Sequence, residues 1–368
     1  MKVALVHDFL NQVGGAEKVL QVFHELFPKA PIYTITHDPE ETYGVFKDLD
    51  IRTSFIQNLP FGIKRYKWYL SLMPAAIESL DLTKYDVVIS DSSAYAKGVI
   101  TSPNSLHLCY CHSPTRYLWS DTHDYTEELK QPSIIKQALP VVLSRIRLWD
   151  RLAADRVDSF VANSEIVQKR IKKYYQRGSK IIYPPVDTDR FSISDEVEDY
   201  YLIVSRLRPY KRVDLAIQAF NALEYPLKII GAGEETEKLK KMAGDNIEFL
   251  GPLSNDKVAY YLSRCKAFIH PQEEDFGIAA LEAMASGRPV IAYKAGGAKE
   301  TIIEGKTGEF FEEQMPWDIV DVIRDFDASK YNPQEIRNHA LQFDTAVFKA
   351  KMKEYFEQEC EKHFQAKR

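Results

Sequence analysis

Long apolar runs are missing from this chain of 368 residues. No stretch approaches the roughly 20 residues that cross a bilayer as a helix. A secretory leader is not expected, because the apolar run at residues 3–6 is short and leads directly into His7 and Asp8. Cysteine is scarce: four residues in a chain this long exclude a disulfide framework and point to a reducing, cytoplasmic location. A strong positive charge is lacking too. The formal net charge of −5 argues against nucleic acid as a partner. Low-complexity tracts and short repeats do not occur.

What is present is ordinary globular composition, 45% hydrophobic and 27% charged, so the chain can bury proper cores. Its length suggests roughly two domains of 150 to 200 residues. Charge is unevenly spread. The first 190 residues carry 24 basic and 22 acidic residues, the remainder 24 and 31. Short apolar runs alternate with helical patterns, the signature of parallel βαβ units. Strands are predicted at 3–6, 86–90, 105–110, 159–162 and 181–183, with helices over 16–26 and from Glu165. A second series has strands at 201–205, 227–230, 267–270 and 289–292. Its helices fall near 213–223, 235–242, 256–265 and 278–286. From Thr345 a helix is predicted with Val347, Met352, Phe356 and Cys360 at helical intervals. The expected fold class is therefore α/β: two Rossmann-like, doubly wound domains, residues 1–186 and 199–344, facing a cleft. Residues 187–198 form the linker between them.

Three segments carry chemistry suited to a bound diphosphate. Gly14-Gly15 follows the first strand and opens a helix, where backbone N–H groups attract anions. Taken alone, the pair also fits a tight turn. Arg206 and Lys211 sit in the loop after the strand at 201–205, a place for cations that stabilise a leaving pyrophosphate. Taken alone, they also fit a solvated loop. The third segment, residues 273–287, opens a helix of small apolar residues with Glu274, Phe276, Gly277 and Ile278. Glu282 then stands inside a stripe otherwise fit for burial, and a buried carboxylate needs a donor or ligand.

Here the chain resembles the GT-B-fold retaining glycosyltransferases of family 4. The resemblance rests on Gly14-Gly15, on Arg206 and Lys211 five apart, and on Glu274 and Glu282 as E-x7-E. It continues through Gly287-Arg288-Pro289-Val290, Gly296-Gly297 with Glu300, and Gly305-Lys306-Thr307-Gly308. It implies that Arg206 and Lys211 hold the donor diphosphate, that Glu282 contacts the ribose, and that Glu274 lies by the donor sugar. Gly15 and the Gly296-Gly297 backbone would complete the phosphate cradle, and helix 345–368 would pack back on the first domain. Residues 111–119 resemble the segment of GDP-mannose-dependent mannosyltransferases, with His112 facing the donor sugar and Arg116, Tyr117 and Trp119 on the acceptor side. The implied reaction needs no metal and no cofactor beyond the nucleotide-sugar co-substrate. It moves mannose to a glycan or lipid-linked glycan.

Two other readings are disfavoured. His107, Cys109, Cys111 and His112 offer metal-ligating atoms, but alternate residues of a straight strand cannot close a tetrahedron. Asp187-Thr188-Asp189 has the form of a metal-binding DxD, but sits where a hinge turn is expected. Residues 61–70 mix three bases with four aromatics, which suits either a surface helix at an anionic membrane, at the inner face, or a partly buried helix with snorkelling lysines. Rival classes are a UDP-sugar transferase, a sugar-nucleotide epimerase and a non-catalytic nucleotide-sugar-binding protein. A dinucleotide oxidoreductase is disfavoured because Gly231-Ala232-Gly233 lacks the third glycine of that fingerprint.

Overall fold

A computed structural model describes residues 1–122 and 133–365. The chain divides into two compact units, Met1–Tyr183 with Lys349–Arg368, and Pro184–Phe348. In the first, seven strands form one parallel sheet in the order β3-β2-β1-β4-β5-β6-β7. These are β1 Val3–His7, β2 Ile32–Thr34, β3 Ile51–Thr53, β4 Val87–Ser92, β5 Leu106–Cys111, β6 Ser159–Ala162 and β7 Ser179–Ile181. The second unit orders its strands β10-β9-β8-β11-β12-β13. They are β8 Tyr201–Val204, β9 Leu227–Ile230, β10 Ile247–Gly251, β11 Phe268–His270, β12 Val290–Tyr293 and β13 Gly308–Phe311.

Parallel sheets are covered on both faces, so their central strands are apolar without alternation. β4 and β5 are buried at all six positions each, polar Ser90, Asp91 and His107 included. Helix Gly15–Leu26 buries Val19, Leu20, Val22 and Phe23, a stripe at helical spacing. Phe23 meets the edge of Tyr110 on β5 at 5.7 Å, and the Tyr110 hydroxyl donates to the Ile182 carbonyl at 3.0 Å.

Several elements differ from expectation. The last strand of the first unit is Ser179–Ile181, two residues earlier than predicted. β2, β3, β10 and β13 are not predicted from the sequence. The helix Ser133–Ala153 is not predicted either. Residues 61–65 are turns, and Tyr66–Leu72 is a 3-10 helix, where the sequence suits one helix over residues 61–70, either at the surface or partly buried. The terminal helix Thr345–Gln365 forms as predicted, but its buried stripe is Phe348, Met352, Tyr355 and Phe356 rather than one through Val347 and Cys360. It is tied to the rest of the first unit by Phe356 on Phe27 at 4.8 Å, Tyr355 on Ser159 at 2.5 Å and Lys349 on Glu25 at 2.5 Å.

The segment expected as a linker lies in the second unit and is strapped there by arginines. Arg288 donates to the carbonyls of Ser263 at 2.7 Å and Ser194 at 2.5 Å. Arg337 donates to the Phe191 carbonyl at 2.6 Å, to that of Thr188 at 3.4 Å, and to that of Ala285. In the first unit Arg177 does the same, reaching Ala154 at 3.0 Å and Val157 at 2.6 Å.

His107 on β5 is fully buried, with Nε2 at 2.9 Å from the Ser90 hydroxyl and no hydrogen-bond partner for Nδ1. Burial pushes its pKa down from 6.5 to about 4. The native state therefore resists a proton that the unfolded chain accepts, so this residue subtracts stability as pH falls from about 6.5 toward 4. Urea denaturation across that window should give a falling free energy, and His107→Asn should flatten the slope; an unchanged slope would show that other groups set it.

Candidate functional site

In both sheets the strand order reverses once, between β1 and β4 and between β8 and β11. Such a reversal opens a crevice at the carboxyl ends of the strands, because the connecting loops diverge there. The predicted site residues gather at these two places.

In the second unit, β8 runs into the exposed Arg206 and the 3-10 turn Pro209–Lys211, while β11 runs into Gln272 and Glu274. Lys211 Nζ forms an ion pair with Glu274 Oε1, joining the ends of the two strands at the reversal. Both side chains keep some exposure, 14% and 20%, so the pair is open to a ligand. Gln272 Nε2 donates to Glu274 Oε1 at 3.1 Å and lies 3.2 Å from His270 Nδ1. Burial and then the Lys211 charge push the His270 pKa down to about 3, which keeps the imidazole neutral beside the cation.

Gly277 takes φ +90 at the start of helix Ile278–Ala285, and a side chain there would approach His270 Nε2 to 3.3 Å. Phe276 is buried against Phe343 at 5.8 Å. Within the helix Ala280, Leu281, Ala283, Met284 and Ala285 are buried, whereas Ile278, Ala279 and Glu282 are half-exposed. Spaced at i, i+1 and i+4, these three share one face. Glu282 is thus not interred as its apolar neighbours suggested; it tops the accessible stripe that continues from Glu274. Gly296 and Gly297 brace this loop. Gly297 N–H donates to the Glu274 carbonyl at 2.8 Å, and a Cβ on Gly296 would lie 2.2 Å from the same oxygen. They hold the loop by close backbone approach.

In the first unit, Gly14 caps helix Gly15–Leu26 and its N–H donates to Glu17 Oε2 at 2.8 Å. One donor of the anticipated anion site is therefore already taken by a carboxylate. Glu17 also accepts from Gln12 at 3.2 Å and faces His7 Nε2 at 3.7 Å. His7 Nδ1 is 2.8 Å from Asp91 Oδ2, and Asp91 Oδ1 is 2.5 Å from His112 Nε2. Burial alone would lower the His7 pKa, but bonds and charge from Asp91 and Glu17 outweigh it and raise it to about 10. Burial opposes ionisation of Asp91, yet His112 and His7 hold its pKa below the usual carboxylate value. Asp8, next along β1, accepts four backbone N–H groups, from Ser93, Ala94, Tyr95 and Ala96, at 2.6 to 2.9 Å.

The residues assigned to the acceptor side all have internal partners. Arg116 pairs with Asp121 at 2.6 Å, and the Tyr117 and Tyr95 hydroxyls are 2.5 Å apart. Trp119 stacks on Tyr174 at 4.9 Å and donates to Asp150 Oδ2 at 2.8 Å. Asp150 is fully buried and also accepts from Lys97 at 2.5 Å, Thr115 at 2.7 Å and Tyr175 at 2.9 Å. Sequence reasoning missed His7, Asp8, Glu17, Asp91, Lys97 and Asp150. The legible signal was polar residues at the ends of apolar runs, His7-Asp8 above all.

Asp187 pairs with Arg190 at 3.0 Å, and the Thr188 hydroxyl donates to Asp344 at 2.5 Å. Among the described residues no group of three or more His, Cys, Asp or Glu is placed to hold a metal. None of the described helices is long and apolar enough to cross a membrane.

Comparison with known proteins agrees with this fold. Residues 13–190 match the family described as Glycosyltransferase Family 4, and residues 186–342 match Glycosyl transferases group 1. The alpha-1,3/1,6-mannosyltransferase ALG2 of Dictyostelium discoideum is 24% identical over 84% of this chain and 85% of its own length. Its Schizosaccharomyces pombe counterpart is 24% identical over 84% and 70%. An uncharacterized glycosyltransferase of Methanocaldococcus jannaschii is 28% identical over 52% of this chain, spanning about half, 54%, of that relative. Among solved structures, Anabaena Alr3699/HepE in complex with UDP superposes with a TM-score of 0.73 over 97% of this chain and 100% of its own, at 18% identity. A sucrose-phosphate synthase from Thermosynechococcus elongatus gives 0.69 over 96% and 98%, at 15% identity. The chain belongs to the GT-B-fold glycosyltransferases of family 4, and among them it resembles mannosyltransferases.

Proposed function

We propose that this enzyme transfers mannose from GDP-mannose, with retention of anomeric configuration, to a glycan or lipid-linked glycan. The observation that carries the proposal is the Lys211–Glu274 pair at the β8/β11 reversal, opening onto the face of Ile278, Ala279 and Glu282. A diphosphate leaving group needs fixed positive charge, which Lys211 and Arg206 supply without a metal. The acceptor hydroxyl attacks the anomeric carbon on the face from which the diphosphate departs. The C–O bond to phosphate breaks as the new glycosidic bond forms, and the departing phosphate oxygen takes the acceptor's proton. No carboxylate nucleophile is required, in contrast to retaining glycosidases. The mannose donor is supported by the names of the relatives that align over most of the chain. A UDP-sugar donor is the second reading, favoured by the UDP and UDP-glucose bound in the Anabaena protein.

A lipid-linked acceptor would draw the enzyme to an anionic membrane. The segment around Tyr66–Leu72 leaves Phe61, Trp68 and Leu72 exposed at 63%, 60% and 40%, with Arg65 over the Trp68 ring at 4.5 Å. Helix Ser133–Ala153 exposes Val141, Leu148 and Leu152, which lie on one side of the helix. Trp149 of that helix donates to Glu78 at 2.7 Å, and residues of both elements pack against one core cluster. From residue 51 to 77 there is no acidic side chain, while Lys64, Arg65 and Lys67 supply positive charge. Apolar anchors amid bases suit an anionic lipid surface.

Four experiments test these readings. With excess EDTA present, GDP-mannose should support transfer and raise the melting temperature more than UDP-glucose does. The reverse order assigns the donor to UDP, and loss of transfer restored by a divalent ion overturns metal independence. Arg206→Ala and Lys211→Ala should each lower turnover at least about tenfold. Glu282→Ala should chiefly raise the donor KM and Glu274→Ala chiefly lower kcat, since only groups near the anomeric centre act mainly in the transition state. Identical effects in the two folded glutamate variants would show that their roles are wrongly divided. Finally, the protein should sediment with phosphatidylglycerol vesicles at low salt, and Lys64→Glu/Lys67→Glu should release it; no sedimentation removes the membrane and leaves the transferase.

A further inference from the structure

Four titratable side chains from separate segments line up inside the first unit: Glu17 on the first helix, His7 at the end of β1, Asp91 on β4 and His112 after β5. Glu17, His7 and Asp91 are 2%, 3% and 1% exposed. Burying charge costs several kcal/mol per ion unless it is paired, so such a chain is not a neutral way to fill space. His7 and Asp91 are direct partners in the β1–β4 ladder.

The contacts run in one direction without a gap. Glu17 Oε2 fixes the Gly14 N–H, and its other oxygen faces His7 Nε2. The opposite nitrogen of His7 binds Asp91 Oδ2, whose second oxygen receives His112 Nε2–H. Because Asp91 is an acceptor only, His112 must keep its proton on Nε2, which leaves Nδ1 as the atom whose state can vary. The His112 ring is also braced by Tyr110 at 5.2 Å, and it is the one member of the chain with appreciable side-chain exposure, 13%.

We propose that Glu17, His7 and Asp91 are positioning residues that tie the Gly14-Gly15 loop to His112, so that the loop's shape and the tautomer of His112 are set together. This rests on the reading of that loop and of His112 as the donor side of the first unit. His7 is the central link, an imidazolium held between two carboxylates. Its raised pKa agrees with that state. A nucleotide sugar that settles its phosphates on the loop would thereby meet a histidine already turned for the sugar.

Glu17→Gln isolates the coupling, because glutamine still offers an oxygen to the Gly14 N–H but removes the charge facing His7. Ring 15N signals of histidine-labelled protein, assigned by single substitutions, report on the effect without any substrate. In the wild type at pH 8 His7 should carry protons on both nitrogens and His112 on Nε2. Glu17→Gln and His7→Gln should both shift the His112 signals, although Glu17 does not touch His112, and should lower kcat about tenfold with donor KM changed less than about threefold. Asp91→Asn should release the Nε2–H tautomer. Unchanged His112 signals in the folded Glu17→Gln protein overturn the proposal, whatever happens to the melting temperature, since a purely structural role would move only the latter. If the wild type transfers no sugar, the donor reading fails while the nitrogen signals still decide the coupling.

Discussion

Neighbouring strands in both sheets run parallel, and each sheet grows outward in two directions from a central pair. At that pair, β1 with β4 and β8 with β11, the loops part and the sheet presents its strand ends to a crevice. Polar and charged groups collect at these strand ends, where each can find a partner on a neighbouring strand or loop. His7 and Asp91 occupy one such point and Lys211 with Glu274 the other. The glycines, caps and loops of the site all arrange backbone around these two places.

The two points are built with opposite economies. In the first unit charge is taken deep and compensated fully: Asp8 by four amides, His7 by two carboxylates, and Asp150 by Lys97 and three neutral donors. Removing one partner of such a set leaves an uncompensated charge and costs about 3–5 kcal/mol. In the second unit the cation and carboxylate are partly open, so a ligand can compete for either without leaving a buried charge behind. Rigidity belongs to the first arrangement, exchange to the second.

Most central strands and the helices after them are legible because apolar runs and helical stripes are local signals. The glycine, Arg206–Lys211 and Glu274–Glu282 motifs are legible because their order along the chain is itself a pattern. What escapes is non-local or too short. β2 and β3 have three residues each at one end of their sheet, and the terminal helix keeps Met352 and Phe356 in its buried stripe but takes Phe348 and Tyr355 in place of Val347 and Cys360, where it packs on Phe27 and Ser159. The partners of His7 lie 84 and 10 residues away, so no spacing rule could join them. Glu282 reads as buried in the sequence because its neighbours are small; those residues face the core and it does not.

Arg177, Arg288 and Arg337 hold distant stretches of chain through main-chain oxygens rather than through side chains. Every residue type has that oxygen. The stretches so held are therefore free to drift in composition, one substitution at a time, without loosening. The guanidinium has no such freedom, since lysine lacks the planar fork that reaches several oxygens at once. Over long divergence the fold can thus be expected to keep a few arginines fixed while the segments they grip become unrecognisable.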